Sequence, residues 1–197
     1  MNKSNLSLKD LVNIGIFTII YFVFVAIVGA PFGIFVVSFL FYPFFAALLS
    51  AIIILYFMAK VQKKWSVFIL CWFPSILMTF MGHTIIMLIH GLLIAILAEF
   101  IHRKYGFDDI KGNILTHSII GLWTVGGFWQ IFIVSEQYGK LITETMGESY
   151  ANQLISLPWW ILIFLYLSSF IGGLIGGNIA SKILRRHFST EGDKLRN

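Results

Sequence analysis

His83 and His90 stand seven residues apart in "MGHTIIMLIHGLLIAILAEFIHRKYG", residues 81–106, a run almost wholly apolar between Gly82 and Ala98. Seven residues make about two turns of α-helix, so both imidazoles project from one side, with Met87 between them. Met81 adds a second thioether just before the pair. Three chemistries suit this pattern. A neutral imidazole can be satisfied by a backbone carbonyl or a neighbouring hydroxyl. It can bond the polar edge of a bound molecule. Or His83, His90 or Met81 can ligate the metal of a macrocycle axially, as His and Met ligate haem iron. No intrinsic metal site is expected: two histidines without a cysteine partner fall short of structural zinc, and hard cations want clustered oxygen ligands.

Aromatic groups follow further along the chain. "GLWTVGGFWQIF", residues 121–132, supplies Trp123, Phe128, Trp129 and Gln130, a surface suited to a flat ligand. Tyr138 and Tyr150 are placed to close over it. Catalytic and nucleotide signatures are absent: the sequence holds no G-x-x-x-x-G-K-[ST], no H-E-x-x-H and no G-x-S-x-G. The chain therefore reads as no enzyme and has no ATPase site of its own.

The elements that must position these residues are membrane spans. Of 197 residues, 58% are hydrophobic, 17% aromatic and only 12% charged, against about 25% charged in soluble domains. Apolar runs long enough to cross hydrocarbon, roughly 17–25 residues, predict spans near 11–29, 36–59, 66–81, 84–102, 113–135 and 157–184. The first run, Leu11 to Ala30, exceeds the roughly 7–15 residues of a signal-peptide core and reads as an uncleaved span. The second begins with an interrupted piece, because Pro31, Gly33 and Pro43 break "PFGIFVVSFLFYPF", which the membrane tolerates only against protein or a cavity. The expectation is a single all-α integral membrane domain over 1–197, a bundle of six transmembrane helices.

Charge sets the orientation. With six spans and both termini cytoplasmic, thirteen of the fourteen basic residues fall on one side. They are Lys3, Lys9, Lys60, Lys63, Lys64, Arg103, Lys104, Lys111, Lys182, Arg185, Arg186, Lys194 and Arg196. Only Lys140 is left outside, beside Glu136, Glu144 and Glu148. The distribution obeys the positive-inside rule, so the net charge of +5 reflects topology and calls for no nucleic acid. The localisation expected is multi-pass, in a bacterial cytoplasmic membrane. Single Cys71 forms no intramolecular disulfide.

Two further stretches are informative. In "SSFIGGLIGGNIASKILRRHF" the residues Gly172, Gly176 and Ala180 form one small ridge, with Gly173, Gly177 and Ser181 beside it. Small residues let helix backbones approach closely, so this helix packs centrally or slides against a partner. The segment 136–156 is long enough for an amphipathic lid over the outer mouth, and Trp159 and Trp160 suit the aromatic belt of the interface. Glu99 can pair with Arg103 one turn on. No carboxylate lies in mid-membrane, so proton- or sodium-coupling groups are lacking.

"LKDLVNIGIFTIIYFV" at 8–23, "AKVQKKW" at 59–65 and "AEF" at 98–100 resemble a family of small membrane proteins. These are identified as substrate-binding S components of energy-coupling factor (ECF) transporters, of the MptD or Trep_Strep type. The resemblance implies a six-helix S component of an ABC importer that captures a micronutrient at the outer face. It also implies two kinds of partner: a transmembrane coupling subunit, EcfT-like, and two cytosolic ATPases, EcfA-like, whose cycle topples the S component in the bilayer. The substrate would be a hydrophobic or aromatic vitamin-like molecule, or haem or another metallo-tetrapyrrole as cargo, bound by His83, Met87, His90 and the aromatic groups above. The coupling subunit would dock on a small-residue ridge of the first helix, at Gly15 and Thr18, or at Ala26 and Ala30 nearer the outer end. A different class stays open: a membrane subunit that holds haem permanently, as a cytochrome does. So does an assembly protein with no ligand at all.

Overall fold

The computed structural model describes residues 6–194, with side-chain surroundings through residue 184. Lys3 and Arg196 lie outside the described residues, as do the side chains of Arg185, Arg186 and Lys194. Every regular element among the described residues is helical.

Helix α1 (Leu8–Gly29) starts at a capping box. The Asp10 amide donates to Ser7 Oγ at 3.2 Å, and the Ser7 amide donates to the Asp10 carboxylate at 3.0 Å. It runs into a 3₁₀ turn, Ala30–Ile34, with Pro31 at its start, where the missing N–H costs nothing. The predicted second span is then two helices, α2 (Val36–Phe39) and α3 (Tyr42–Lys60), with Pro43 opening the second. Helices α4 (Ser66–Phe80) and α5 (Ile85–Tyr105) are joined by a tight turn in which Gly82 takes φ +103°, a conformation that a side chain would strain. The predicted fifth span is α6 (Ile110–Gly121), a 3₁₀ turn (Leu122–Val125) and α7 (Gly126–Ile133). The chain bends by 106° into α8 (Ser135–Met146), then forms α9 (Glu148–Ile155) and the long α10 (Ile161–Lys194).

By length and apolarity four stretches among the described residues can cross a membrane: Leu8–Ile34, Tyr42–Lys60, Ile85–Tyr105 and Ile161–Leu184. Ile110–Ile133, taken with the bent α8, makes a fifth. The remaining predicted span is α4, which at 15 residues is short of the usual crossing length.

The bundle has two unlike ends. At one, Asp10 meets Lys63 at 3.8 Å, Gln62 bonds Asp108, and the Arg103 guanidinium lies 4.2 Å from the centre of the Trp65 ring. Glu99, only 3% exposed, accepts from the Trp65 and Phe68 amides at 2.6 and 3.1 Å and pairs with Arg103 Nε at 2.6 Å. The buried carboxylate thus serves the unpaired N–H groups at the start of α4, where negative charge is favoured. At the other end Gln130 does the matching service for α5, its Oε1 accepting from the Thr84 amide at 2.7 Å. Helices α8 and α9 cover this second end, with Tyr138 and Leu154 packed in one apolar cluster with Val36, Val125, Phe128 and Ile161.

Helix α10 lies against α3 on one ridge and α6 on the other. A Cβ on Gly172 or Gly176 would overlap the carbonyl oxygen of Phe44 or Leu48, while one on Gly173 or Gly177 would meet Ser118 or Ile114. Ala180, last in the first ridge, is buried. Its opposite face is an apolar stripe, Ile163, Leu167, Ile171, Ile175, Ile179 and Ile183, all exposed. Such a stripe is what hydrocarbon accepts and water does not.

Candidate functional site

A cavity of about 260 Å³ opens beneath α8, between the ends of α1, α3, α4, α5 and α7. Its deep side is Trp123, 1% exposed, whose Nε1 donates to the Tyr21 hydroxyl at 2.8 Å. That bond satisfies the indole and fixes the ring. One side is an aromatic ladder. Phe39 stacks on Phe128 at 4.6 Å between centroids and lies almost parallel to Tyr42, with 7° between planes. Gly29 allows this, since a Cβ there would sit 2.7 Å from the Tyr42 ring. Met78 and Met87 bring thioethers, His83 an imidazole, Thr124 a hydroxyl already donated to the Gly121 carbonyl, and Tyr138 closes from the lid.

Five of the residues singled out from the sequence line this space: His83, Met87, Trp123, Phe128 and Tyr138. Ala26, expected at a docking ridge, lines it too. The others lie elsewhere. His90 is 9% exposed, and its Nε2 is 2.5 Å from the Tyr166 hydroxyl. The same hydroxyl accepts from Trp129 Nε1 at 2.8 Å. His90 and Trp129 therefore tie α5 and α7 to α10. The expected stripe of His83, Met87 and His90 divides because His83 precedes α5, in the turn, and does not share its helical register. Gln130 is turned to the Thr84 amide, Met81 is 69% exposed, and Tyr150, on α9, packs half-buried against the apolar cluster of Tyr138 and Leu154.

Burial lowers the His83 pKa from its ordinary value of 6.5, with the Met78 carbonyl opposing part of the shift. The imidazole is neutral at pH 7, able to donate at one nitrogen and accept at the other. No residue around the cavity carries a formal charge at that pH. The hydroxyls of Tyr42 and Tyr138 make no hydrogen bond among the described residues; both tyrosines border the space with their bonding capacity unspent. Phe39, Tyr42, Gly29, Met78 and Gly127 escaped sequence reasoning. The proline and glycine break at 31–43 was the available sign, since broken backbone at membrane depth borders protein or a cavity.

On the first helix, Gly15 faces outward, with nothing within 4 Å of where a Cβ would stand, and Ala26 and Ala30 are also exposed. Thr18, expected on the docking ridge, is instead turned inward: it is 1% exposed and its hydroxyl donates to the Ile14 carbonyl at 2.7 Å, so it shares no outward ridge with Gly15. Among the described residues no group of three or more His, Cys, Asp or Glu is placed to hold a metal ion.

The family model described as "Hypothetical bacterial integral membrane protein (Trep_Strep)" matches residues 8–190. The chain belongs to the Trep_Strep family. It is a multi-pass membrane protein, with four helices among the described residues long and apolar enough to cross a bilayer, or five if the bent pair is one span. No curated protein and no solved structure matches this Trep_Strep chain.

Proposed function

We propose that this Trep_Strep protein is the S component of an ECF-type importer, taking up a small vitamin-like molecule at the outer face. The observation that carries this reading is an uncharged aromatic cavity, roofed by α8 and α9, at the end of the bundle remote from Lys60, Lys63, Lys64, Arg103 and Lys104. Placing the basic end in the cytoplasm turns the cavity outward. Counting α4 and the α6–α7 rod as crossings gives six, with both termini inside. α4 is short but ends in the exposed Phe80 and is flanked by the exposed Trp65 and Met81, which extend its apolar reach.

The bundle offers no nucleotide loop and no mid-membrane carboxylate, so the driving force is assigned to partners: a coupling subunit and two ATPases. The docking face proposed is the outward side of α1 and the turn after it, where Gly15 and Ala30 are exposed among Ile16, Ile19, Val23 and Ile27, with Ala26 exposed where this face borders the cavity. The haem readings are the weaker ones. His83 and His90 do not face a common space, and His117 is engaged with the Ala47 carbonyl at 2.8 Å. The test is co-expression of the tagged chain with an ECF coupling subunit and ATPase pair, affinity purification, and mass spectrometry of the small molecules released on denaturation. A stoichiometric four-protein complex carrying one released compound is expected. A chain that purifies free of both ATPases, under conditions where a known S component retains them, would overturn the proposal.

A further inference from the structure

We infer that the cavity selects an uncharged, flat molecule of one or two fused rings; this rests on reading the cavity as the ligand site and goes beyond it in naming the cargo's chemistry. Three observations converge. The first is size. About 260 Å³ falls just below the usual range of small-molecule sites, roughly 300–1,000 Å³, too little to enclose a four-ring tetrapyrrole with its carboxylates.

The second is charge. No Asp, Glu, Lys or Arg lines the space, and His83 is held neutral by burial. The lid's Glu136 and Lys140 are exposed and paired with one another at 3.0 Å, so neither is turned inward. At the α5 N-terminus, which could have met an anion, the Thr84 amide is already taken by Gln130 Oε1 at 2.7 Å. An ion entering this space would lose its hydration with no countercharge, a cost that a neutral ring escapes.

The third is shape. Phe39 stacks on Tyr42 and Phe128, presenting an aromatic flank, and Met78 and Met87 supply the polarizable thioethers that favour ring contacts. Polar capacity is limited to His83, the hydroxyls of Tyr42 and Tyr138, and the accepting oxygen of Thr124, whose proton is given to the Gly121 carbonyl. That arrangement reads a ring edge bearing one donor and one or two acceptors.

Three probes with one ring system test this: indole (neutral), indole-3-acetate (anionic) and tryptamine (cationic), each titrated by calorimetry into the purified full chain in nanodiscs, with haemin as competitor. Saturable indole binding is expected, with both charged probes at least about thirtyfold weaker and no displacement by haemin. Gly127 lines the cavity, and a Cβ there would meet nothing within 4 Å. Gly127→Leu is therefore expected to fill the space and abolish indole binding while the melting temperature holds. Lack of saturable indole binding, charged probes within threefold of indole, displacement by haemin, or indole binding that survives Gly127→Leu would each overturn the inference. The titration uses the isolated chain. A neutral-selective cavity in a protein that forms no ATPase complex would sink the transporter reading alone, and a charge-selective cavity in a protein that forms the complex would sink this inference alone.

Discussion

The His90 imidazole and the Tyr166 hydroxyl stand 2.5 Å apart, joining α5 to α10 beside the cavity, while His83 lines the cavity itself. Two histidines seven residues apart thus have separate duties. His83→Ala is expected to weaken indole binding about five- to tenfold, the scale of one hydrogen bond. His90→Phe is expected to leave that affinity within about threefold and to lower the melting temperature by a few degrees. Calorimetry and thermal unfolding of the two variants check the division.

The glycines of α10 and α1 predict opposite outcomes for one substitution. At Gly176 a Cβ would overlap the Leu48 carbonyl oxygen, and backbone cannot swing aside as a side chain can. Gly176→Ala is expected to destabilise the fold by about 2–3 kcal/mol. Gly15→Ala meets nothing and removes a glycine from a helix interior, so it should be neutral or stabilising by up to about 1 kcal/mol. Thermal unfolding in one detergent compares them directly.

Glu99 holds the start of α4 and the Arg103 guanidinium together. Glu99→Gln keeps the shape but removes the charge, leaving Arg103 uncompensated. Because Arg103 is one-third exposed, the expected loss is about 2 kcal/mol, below that of a wholly buried pair. Arg103→Met in the same background should recover part of it, read by the same unfolding assay.

Much of the architecture was legible because membrane spans announce themselves by apolar length and by lysine placement, and the turn at Gly82 by its residue type. The interruption that holds α8 and α9 was legible too, as polar sequence between apolar runs. Contacts between distant residues were not. Nothing in the local pattern around Leu8–Gly29 tells that Thr18 turns inward, because beyond Asn13 the helix is apolar almost all round and has no polar face from which to read its rotation. His90 and Tyr166 are 76 residues apart, and one sequence carries no trace of their meeting. Tyr42 and Phe39 were hidden inside a predicted span that the structure breaks in two, though the prolines marked the place.

Orientation is tested by labelling. Lys64 and Gln137 are both exposed, at opposite ends of the bundle, and native Cys71 is buried. In intact cells an impermeant maleimide should label Gln137→Cys and spare Lys64→Cys until the membrane is opened. The reverse pattern would place the cavity inside.

The most direct measurement is uptake into proteoliposomes of the compound released from the purified complex. With the coupling subunit and ATPases present and ATP on the side of the basic residues, accumulation against a gradient is expected, and the chain alone should give none. Concentrative uptake by the chain alone, or none by the full assembly while its ATPases turn over, would contradict the account.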